Sequence, residues 1–324
     1  MTRQDTSIAV VVPSFNHGRF IEEAINSVLT QNYPVIDVIV VDGGSTDDTV
    51  ERLRSFGEEI RWVSEKDEGQ SDAIIKGIAA TKSTWITWLN SDDVQCGDAL
   101  RLVADAVAAD PDVEVLVGGG HYMSEDGTFQ RPYPTIDAGP GVDVVKQMFE
   151  RGWMAQPSVY FRRDLYERVG GLDRKLQFCM DYDLWARFAV SGARFGKLDG
   201  DLSGNRWYET TKTASQLIDL YAEVLATQRK LFGRVSPYFV QALSDHMYGR
   251  FHSKFFGDGA HLPNRWLYFK AMWVIFNARS PLYCLKGLLC YSIIKSGPLG
   301  SDRATMGDWF WGLIKAFRKR AVGR

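Results

Sequence analysis

The first 120 residues alternate short apolar runs with amphipathic stretches, which predicts strands and helices in turn. Residues 8–13 (IAVVVP) are almost continuously apolar, as expected of a strand buried on both faces. Residues 19–31 instead repeat apolar side chains at helical spacing. Strands are predicted at 8–13, 35–41, 60–64, 85–89 and 113–119, and helices at 19–31, 46–56 (capped by Thr46 or Asp47), 70–80 and 99–109. This order predicts an α/β fold with a parallel sheet and right-handed crossovers.

The pattern changes at Gly120. Residues 121–134 predict a hairpin that turns at Glu125-Asp126-Gly127. Further strands are predicted at 158–161 and 194–198, and helices at 142–151, 163–169, 181–191 and through most of 213–256. We therefore expect an α/β domain at 1–212, with halves of about 1–119 and 120–212, followed by a mainly helical region at 213–324.

Charge is unevenly distributed along the 324 residues. The net charge is −2, which argues against a nucleic-acid binder, but residues 265–324 carry a balance of +9 and many aromatic residues. The apolar runs Trp266–Ala278 and Pro281–Ile294 are shorter than the roughly 20 residues of a spanning helix. Together with the basic segment Trp309–Arg320 they favour contact with a membrane surface. The alternative is a helical subdomain whose basic residues are solvated.

The four cysteines are scattered and form no C-x-x-C pair, which fits a reducing compartment. The N-terminal residues lack a basic start and a long apolar stretch, so no signal peptide is predicted. We expect a cytoplasmic protein, with peripheral attachment to the inner face of the cell membrane as the alternative that the tail suggests.

Polar residues follow four consecutive predicted strands. They are 13–16 (PSFN), 42–45 (DGGS), 65–72 (EKDEGQSD) and 90–93 (NSDD). Ligands of parallel sheets bind beyond the carboxyl ends of the strands. The glycine-rich phosphate loops of dinucleotide-dependent dehydrogenases and P-loop enzymes are absent, which disfavours both classes.

Asp92 and Asp93 are adjacent carboxylates at the end of a buried strand. They repel each other unless a cation lies nearby, and Mg²⁺ or Mn²⁺ would meet that requirement. The alternative is a capped turn, since Asp is common in turns. Asp42 could accept a hydrogen bond from a nucleobase or a ribose, or could only shape a turn. Residues 67–72 could likewise be a solvated loop with a helix cap.

These residues lie in blocks that resemble glycosyltransferase family 2, the inverting nucleotide-sugar transferases of GT-A fold. The blocks are VVPSFNHGRFIEEAINSVLTQNYP, VIVVDGGSTDDTVE, EKDEGQSDAIIKGI, TWLNSDD, AQPSVYFRRDLYERVGGLD and MDYDLWARFAVSGARF, spread over about residues 7–215. The resemblance implies a mostly parallel sheet flanked by helices, with a mainly helical C-terminal extension, and a metal-dependent inverting transferase.

The resemblance also implies roles for individual residues. Asp93, with Asp92, would hold Mn²⁺ or Mg²⁺, and Asp181 would be the catalytic base, with Asp183 as a rival. The donor would contact Pro13, Ser14, Asn16, Asp42, Asp67, Gly69, Gln70, Asp72, Asn90, Asp92 and Arg206. Trp153 and Gln156 precede the strand on the acceptor side, so Trp153 could stack on a sugar ring, or could only be core.

Three residues depart from the family pattern. Met180 stands where relatives often have Glu, Ile75 where many have Asn, and Tyr208 where many have the His of an Arg-x-His motif. Arg206 and Lys212 are candidates for phosphate contact, or are simple surface charges. His17, His121 and His246 are isolated and show no metal-ligand spacing.

The expected donor is a nucleotide sugar, most commonly a UDP-sugar, and the expected acceptor is a glycan or a lipid-linked glycan of cell-surface polysaccharide or glycolipid assembly. Two alternatives remain at this point. A sugar nucleotidyltransferase would carry a glycine-rich, Lys/Arg-bearing loop after the first strand, where this chain has PSFNHGR. A catalytically silent scaffold would be expected to lack the Asp pair or Asp181.

Overall fold

The structure is a computed structural model that describes residues 6–31, 33–34, 36–208 and 216–256, with only the backbone of 247–256. Its strands are β1 (Ile8–Ser14), β2 (Ile36–Asp42), β3 (Arg61–Ser64), β4 (Trp85–Trp88), β5 (Val94–Gln95), β6 (Val115–Met123), β7 (Phe129–Pro132), β8 (Val159–Arg162) and β9 (Phe195–Arg206). Its helices are α1 (Gly18–Leu29), α2 (Thr49–Ser55), α3 (Gln70–Ala79), α4 (Ala99–Ala109), α5 (Val144–Glu150), α6 (Arg163–Arg168), α7 (Met180–Val190), α8 (Leu217–Phe232) and α9 (Pro237–Phe256). A 3-10 turn spans Gln156–Ser158.

The strands form one sheet in the order β3-β2-β1-β4-β8-β6-β9-β5, with β7 paired to β6. The parallel pairing predicted for the first four strands is confirmed. Beyond them the sheet is mixed, because β8 runs antiparallel to both β4 and β6, whereas β6 and β9 are parallel. The carboxyl ends of β1 to β4 therefore meet at one edge.

Strand β1 is buried along its whole length because a helix covers each of its faces. Val10 and Val12 pack in one cluster with Ile25 of α1. On the opposite face, Val11 lies against Gly77 of α3, so closely that a Cβ on Gly77 would lie 2.3 Å from Val11 Cγ1. This two-sided burial explains why the strand has no polar residue before its last position.

Strands β6 and β9 extend further than predicted, and β5 was not predicted. Three consecutive glycines, Gly118 to Gly120, interrupt the apolar pattern of β6. They are needed because β9 approaches closely: a Cβ on Gly119 would lie 2.6 Å from the carbonyl oxygen of Gly200. The pairing of β6 and β9 thus depends on glycines, which have no side chain. The periodicity of hydrophobic residues along the sequence cannot reveal this requirement.

Helix α2 begins at Thr49, one or two residues later than a cap at Asp47 or Thr46 predicts. Asp47 explains the difference, because its carboxylate accepts from the Thr49 amide at 3.0 Å and also from the Gly18 amide at 3.0 Å. Asp47 thus ties the start of α2 to the first residue of α1.

The chain divides into two compact units, one of residues 1–148 with 152–214 and one of 149–151 with the described part of 215–324. In the second unit, α8 ends at Gly233, whose φ of +68° is left-handed, and α9 follows. Gln228 Nε2 donates to the Phe149 carbonyl at 2.8 Å, and Ser236 Oγ donates to that of Glu150 at 3.0 Å. Among the described residues no helix has the length and apolar character to cross a membrane. The predicted segments Trp266–Ala278, Pro281–Ile294 and Trp309–Arg320 lie outside the described residues.

Gly77→Ala should destabilise the protein by about 1–3 kcal/mol, because the added methyl group overpacks the contact with Val11. Urea unfolding measures this loss. Val11→Ala opens space at the same point, so the double variant should cost at least about 0.5 kcal/mol less than the two single changes together. Strictly additive losses would show that α3 does not press on β1 here.

Candidate functional site

The structure brings the four polar strand ends together at one edge of the sheet. The Gly43 amide donates to the Ser14 carbonyl at 2.8 Å, and the Glu65 amide donates to the Asp42 carbonyl at 3.0 Å. Pro13 and Ser14 end β1 in register with Val41 and Asp42 of β2. Ser14 is buried, and its hydroxyl has no partner among the described residues. The loops after β1, β2 and β3 therefore form one continuous surface.

Asn16 joins the loop after β1 to the loop after β2. Its backbone is left-handed with φ of +53°, a conformation that Asn tolerates better than most residues. Its amide donates to Ser45 Oγ at 2.7 Å, and its side-chain oxygen accepts from the Thr46 amide at 2.8 Å. Asn16 thus fixes the shape of both loops.

Asp42 is fully buried and holds its own loop in place. Its carboxylate accepts from the amides of Gly44 (3.2 Å) and Ser45 (2.9 Å), from the Ser64 hydroxyl (2.6 Å) and from the Ser45 hydroxyl. These contacts give it the turn-shaping role that was the alternative from sequence. A direct contact between Asp42 and a nucleobase stays a prediction.

Two residues of this edge have roles that the sequence did not indicate: Phe15 was not singled out, and His17 was interpreted as isolated. Phe15 lies between Ser14 and Asn16 with 58% of its surface exposed. His17 Nδ1 and Ser91 Oγ share a hydrogen bond of 2.7 Å, which ties the loop after β1 to the end of β4. An aromatic residue directly after a buried strand was the available signal for Phe15. The contact of His17 spans 74 residues and leaves no trace in spacing.

The loop after β3 lies beside the loop after β2. A Cβ on Gly43 would lie 2.8 Å from Asp67 Oδ2, so Gly43 makes room for this carboxylate. Asp67 Oδ1 accepts from the amide of Gly69, whose φ of +112° requires glycine. These contacts bring Asp67 and Gly69 to the same edge as Asp42.

Asp72 is buried at the start of α3 and pairs with Arg174 at 3.3 Å and with Lys76 at 3.4 Å. Burial alone would raise the pKa of Asp72, but the Glu68 amide and Lys76 outweigh it, so the pKa is lowered. An open cleft of about 440 Å³ lies here, lined by Lys66, Asp67, Glu68, Asp72, Lys76 and Arg174. Asp72 thus belongs to a mixed-charge cluster.

Asp93 is buried at the end of a chain of hydrogen bonds. Gln70 Nε2 donates to Asn90 Oδ1 at 2.7 Å, and Asn90 Nδ2 donates to Asp93 Oδ2 at 2.9 Å. The amide of Arg206 donates to Asp93 Oδ1 at 2.8 Å. Burial, followed by the negative charge of Asp92, nevertheless raises the pKa of Asp93 well above its ordinary range. The protein's own donors therefore do not fully stabilise the ionised pair.

A divalent cation fits this carboxylate pair, because it would offset the repulsion between Asp92 and Asp93. Asp92 Oδ2 accepts from the Tyr208 hydroxyl at 3.0 Å, and each carboxylate oxygen keeps further lone pairs. Within the described ranges, no group of three His, Cys, Asp or Glu residues could hold a metal ion. Substrate oxygens or water would have to supply the other ligands.

Arg206 is buried, and each of its three guanidinium nitrogens donates to a protein oxygen. Nε donates to the Asp92 carbonyl (2.7 Å), one terminal nitrogen to the Glu125 carbonyl (2.5 Å) and the other to Glu23 Oε2 (2.7 Å). The guanidinium also lies 4.6 Å from the centre of the Phe20 ring. These contacts make Arg206 a clamp on the Asp92-Asp93 loop. Its predicted contact with a phosphate stays a prediction, and Lys212 lies outside the described residues.

Asp181 and Asp183 occupy the first turn of α7 in different surroundings. Asp183 is buried and pairs with Arg187 one turn later at 2.7 Å, which is a structural contact. Asp181 is half-buried, and its Oδ1 accepts from the Tyr182 amide at 2.7 Å. These surroundings favour Asp181 over Asp183 as the group that meets a substrate.

Trp153 and Gln156, which are predicted to contact the acceptor, lie just before β8, where Gln156 begins the 3-10 turn. Gln156 is buried, and its Nε2 donates to the carbonyl of Trp88, the last residue of β4, at 2.6 Å. Its Oε1 has no partner among the described residues. Trp153 is half-buried, and its ring centre lies 5.9 Å from that of Tyr182.

Comparison with known proteins gives a family match. The model of the family described as Glycosyl transferase family 2 matches residues 9–170. An uncharacterised glycosyltransferase of Rickettsia prowazekii is 25% identical over 229 residues, which covers 67% of this chain and 70% of that protein. A longer relative from Rickettsia conorii is 28% identical over 196 residues, which is 59% of this chain and 32% of that protein.

Two solved structures share the fold. S. aureus TarS 1–349, in complex with UDP-GlcNAc, superposes with a TM-score of 0.58 at 16% identity, covering 84% of this chain and 82% of TarS 1–349. The mannosyltransferase PcManGT of Pyrobaculum calidifontis, in complex with GDP-Man and Mn²⁺, gives a TM-score of 0.50 at 18% identity, covering 97% of this chain and 83% of that protein. The predicted GT-A type of fold is therefore confirmed.

Arg206→Lys should lower the free energy of unfolding by about 2–4 kcal/mol, because a lysine keeps the charge but cannot replace three separate guanidinium contacts. Urea unfolding measures the change. Arg52→Lys is the matched control, since Arg52 pairs at a more exposed position with Glu22, the residue before Glu23. This control substitution should lower the free energy of unfolding by less than about 1 kcal/mol. Equal losses at both positions would contradict the clamp.

Proposed function

Because this chain belongs to glycosyl transferase family 2, we propose that it transfers a sugar from a nucleoside-diphosphate sugar to a hydroxyl group of a glycan or lipid-linked glycan, with inversion at the anomeric carbon. The observation that carries this proposal is the carboxylate pair Asp92-Asp93 at an edge where four polar strand ends converge. Assembly of cell-surface polysaccharide or glycolipid is the process that we propose for it. The basic, aromatic-rich residues 265–324 support peripheral attachment to an anionic membrane surface.

The edge formed by β1 to β3 suits the nucleoside of the donor. Phe15 offers an exposed aromatic face on which a base could stack. Asp67 lies beside the Asp42 loop and offers acceptors for base N–H groups or ribose hydroxyls. TarS binds UDP-GlcNAc and PcManGT binds GDP-Man, which supports a nucleotide-sugar donor. A UDP-sugar is our first choice.

Asp93 and Asp92 would hold Mn²⁺ or Mg²⁺. When bound, the ion would supply the positive charge that stabilises the leaving diphosphate. Asn90 and the Arg206 amide keep the Asp93 carboxylate oriented, and the Tyr208 hydroxyl does the same for Asp92. The protein thus fixes the two carboxylates from both sides.

Asp181 is the catalytic base of this proposal. Its carboxylate takes the proton of the acceptor hydroxyl while that oxygen forms a bond to the anomeric carbon. The bond between the anomeric carbon and the diphosphate oxygen breaks on the opposite face, and the electron pair leaves with the diphosphate. One displacement inverts the configuration, so no covalent sugar–enzyme intermediate forms.

We expect that the purified protein, given nucleotide sugars and Mn²⁺, releases nucleoside diphosphate from one of them. EDTA or Asp93→Ala should lower the release at least 100-fold, and Asp181→Asn should retain donor binding but lose transfer by about 10²–10⁴-fold. Asp98→Ala, at a surface carboxylate paired with Arg101, is the matched control and should be fully active. If no nucleoside diphosphate binds in calorimetry with Mn²⁺ present, the transferase proposal is wrong and a silent scaffold takes its place.

Phe15→Ala should raise the dissociation constant of UDP about tenfold in the presence of Mn²⁺, because base stacking on an aromatic ring contributes about 1–3 kcal/mol. Isothermal titration calorimetry measures the change, with GDP as a second probe. Phe129→Ala is the matched control, since Phe129 is 57% exposed on β7. Unchanged UDP affinity in Phe15→Ala would remove Phe15 from the base site.

A further inference from the structure

Three half-buried aromatic side chains form a cluster at the β6–β7 hairpin, which we call the aromatic wall: Tyr122, Tyr133 and Trp207. The rings of Tyr122 and Tyr133 are stacked, with centres 4.7 Å apart and planes 27° apart. The Trp207 ring meets the Tyr122 ring edge-on, with the two ring centres 5.5 Å apart. Arg131, opposite Tyr122 in the hairpin register, places its guanidinium 4.2 Å from the centre of the Tyr122 ring. These contacts hold the rings in a fixed arrangement.

The wall begins beside the carboxylate pair. Trp207 directly follows Arg206, whose amide donates to Asp93 Oδ1 at 2.8 Å. The Trp207 amide in turn donates to the Met123 carbonyl at 2.8 Å, which fixes Trp207 to the end of β6. This end of the wall therefore lies next to the residue that holds Asp93, one of the carboxylates proposed to bind the metal.

The other end of the wall leads towards Asp181. The Tyr133 amide donates to the Gly120 carbonyl at 2.8 Å, and three residues later the Ile136 amide donates to the Trp153 carbonyl at 2.9 Å. Trp153 contacts Tyr182, the neighbour of Asp181. Burial and then Tyr122 raise the pKa of the Tyr133 phenol, and the negative charges of Asp181 and Asp93 raise it further. The backbone hydrogen bond between Ile136 and Trp153 and the ring contact between Trp153 and Tyr182 link this end of the wall to the start of α7.

The chemistry of the wall differs from that of the hydrophobic core. The large aromatic residues Trp85, Trp88, Trp185, Tyr160 and Tyr182 are fully buried, whereas the wall residues each keep part of their surface in contact with solvent. An aromatic face packs against the C–H face of a sugar ring, and a tyrosine hydroxyl can bond to a sugar hydroxyl. Through these contacts the wall connects the proposed metal carboxylates with the helix that carries the proposed base.

We propose that Tyr133 and Trp207, held in place by Tyr122 between them, form the platform that binds a sugar ring of the acceptor and points its hydroxyl towards Asp181. This proposal rests on the proposed function. It moves the acceptor platform from Trp153, which packs against Tyr182, to the hairpin. Tyr133 is the residue that we expect to matter most, since it connects the two ends of the wall.

The test compares two reactions of the donor identified in the screen: its hydrolysis by water, and transfer to a panel of p-nitrophenyl hexopyranosides. Tyr133→Ala should lower kcat/KM for the glycoside at least tenfold, mainly through KM, while hydrolysis falls less than threefold. Tyr133→Phe, which keeps the aromatic ring, should lower kcat/KM for the glycoside by a smaller factor. Phe129→Ala, on the same hairpin beside His121, should keep the wild-type ratio of transfer to hydrolysis.

Thermal unfolding of each variant separates a loss of contact from a loss of fold. If transfer and hydrolysis fall by the same factor in a folded Tyr133→Ala, the wall does not bind the acceptor. If no glycoside of the panel is glycosylated or alters the rate of hydrolysis by the wild type, the wall is not a sugar platform and the proposal is wrong. Absence of donor hydrolysis together with absence of nucleotide binding would instead overturn the proposed function itself.

Discussion

The repulsion between two adjacent carboxylates is the constraint around which this site is built. Asp93 is buried, Asp92 follows the same strand end, and burial and proximity both oppose ionisation of Asp93. The Asn90 side chain and the Arg206 backbone donate N–H hydrogen bonds to Asp93, yet the pKa of Asp93 stays raised. Hydrophobic replacements would make a more stable strand end. The divalent cation that we propose for this pair would remove this obstacle to ionisation.

Arg206 connects this constraint to the rest of its unit. Its guanidinium contacts Glu23 of α1, the carbonyl of Glu125 in the β6–β7 turn and the carbonyl of Asp92. Helix α1 and the β6–β7 hairpin are thus fastened to the same loop. Because Trp207 follows Arg206 directly, one end of the aromatic wall lies next to this buried side chain.

The sequence allowed prediction of the parts of the fold that depend on local pattern. Strands β1 to β4 and their helices follow from short apolar runs and helical periodicity, and their polar ends from the same boundaries. The lengths of β6 and β9 could not be predicted, because their pairing uses glycines such as Gly119. Contacts between distant residues were equally hidden, since Arg206 and Glu23 are 183 residues apart and His17 and Ser91 are 74 apart.

The difference between local pattern and long-range contact also limits which roles can be assigned to the site residues from sequence alone. Asp42 and Arg206 were placed at the donor by resemblance, but the structure gives both of them protein partners that fix loops. Because the charge of Arg206 is paired with Glu23, it offsets only part of the charge on Asp92 and Asp93. A donor diphosphate would add further negative charge to this edge. Donor and divalent cation should therefore bind cooperatively, since each removes repulsion that the other would meet alone.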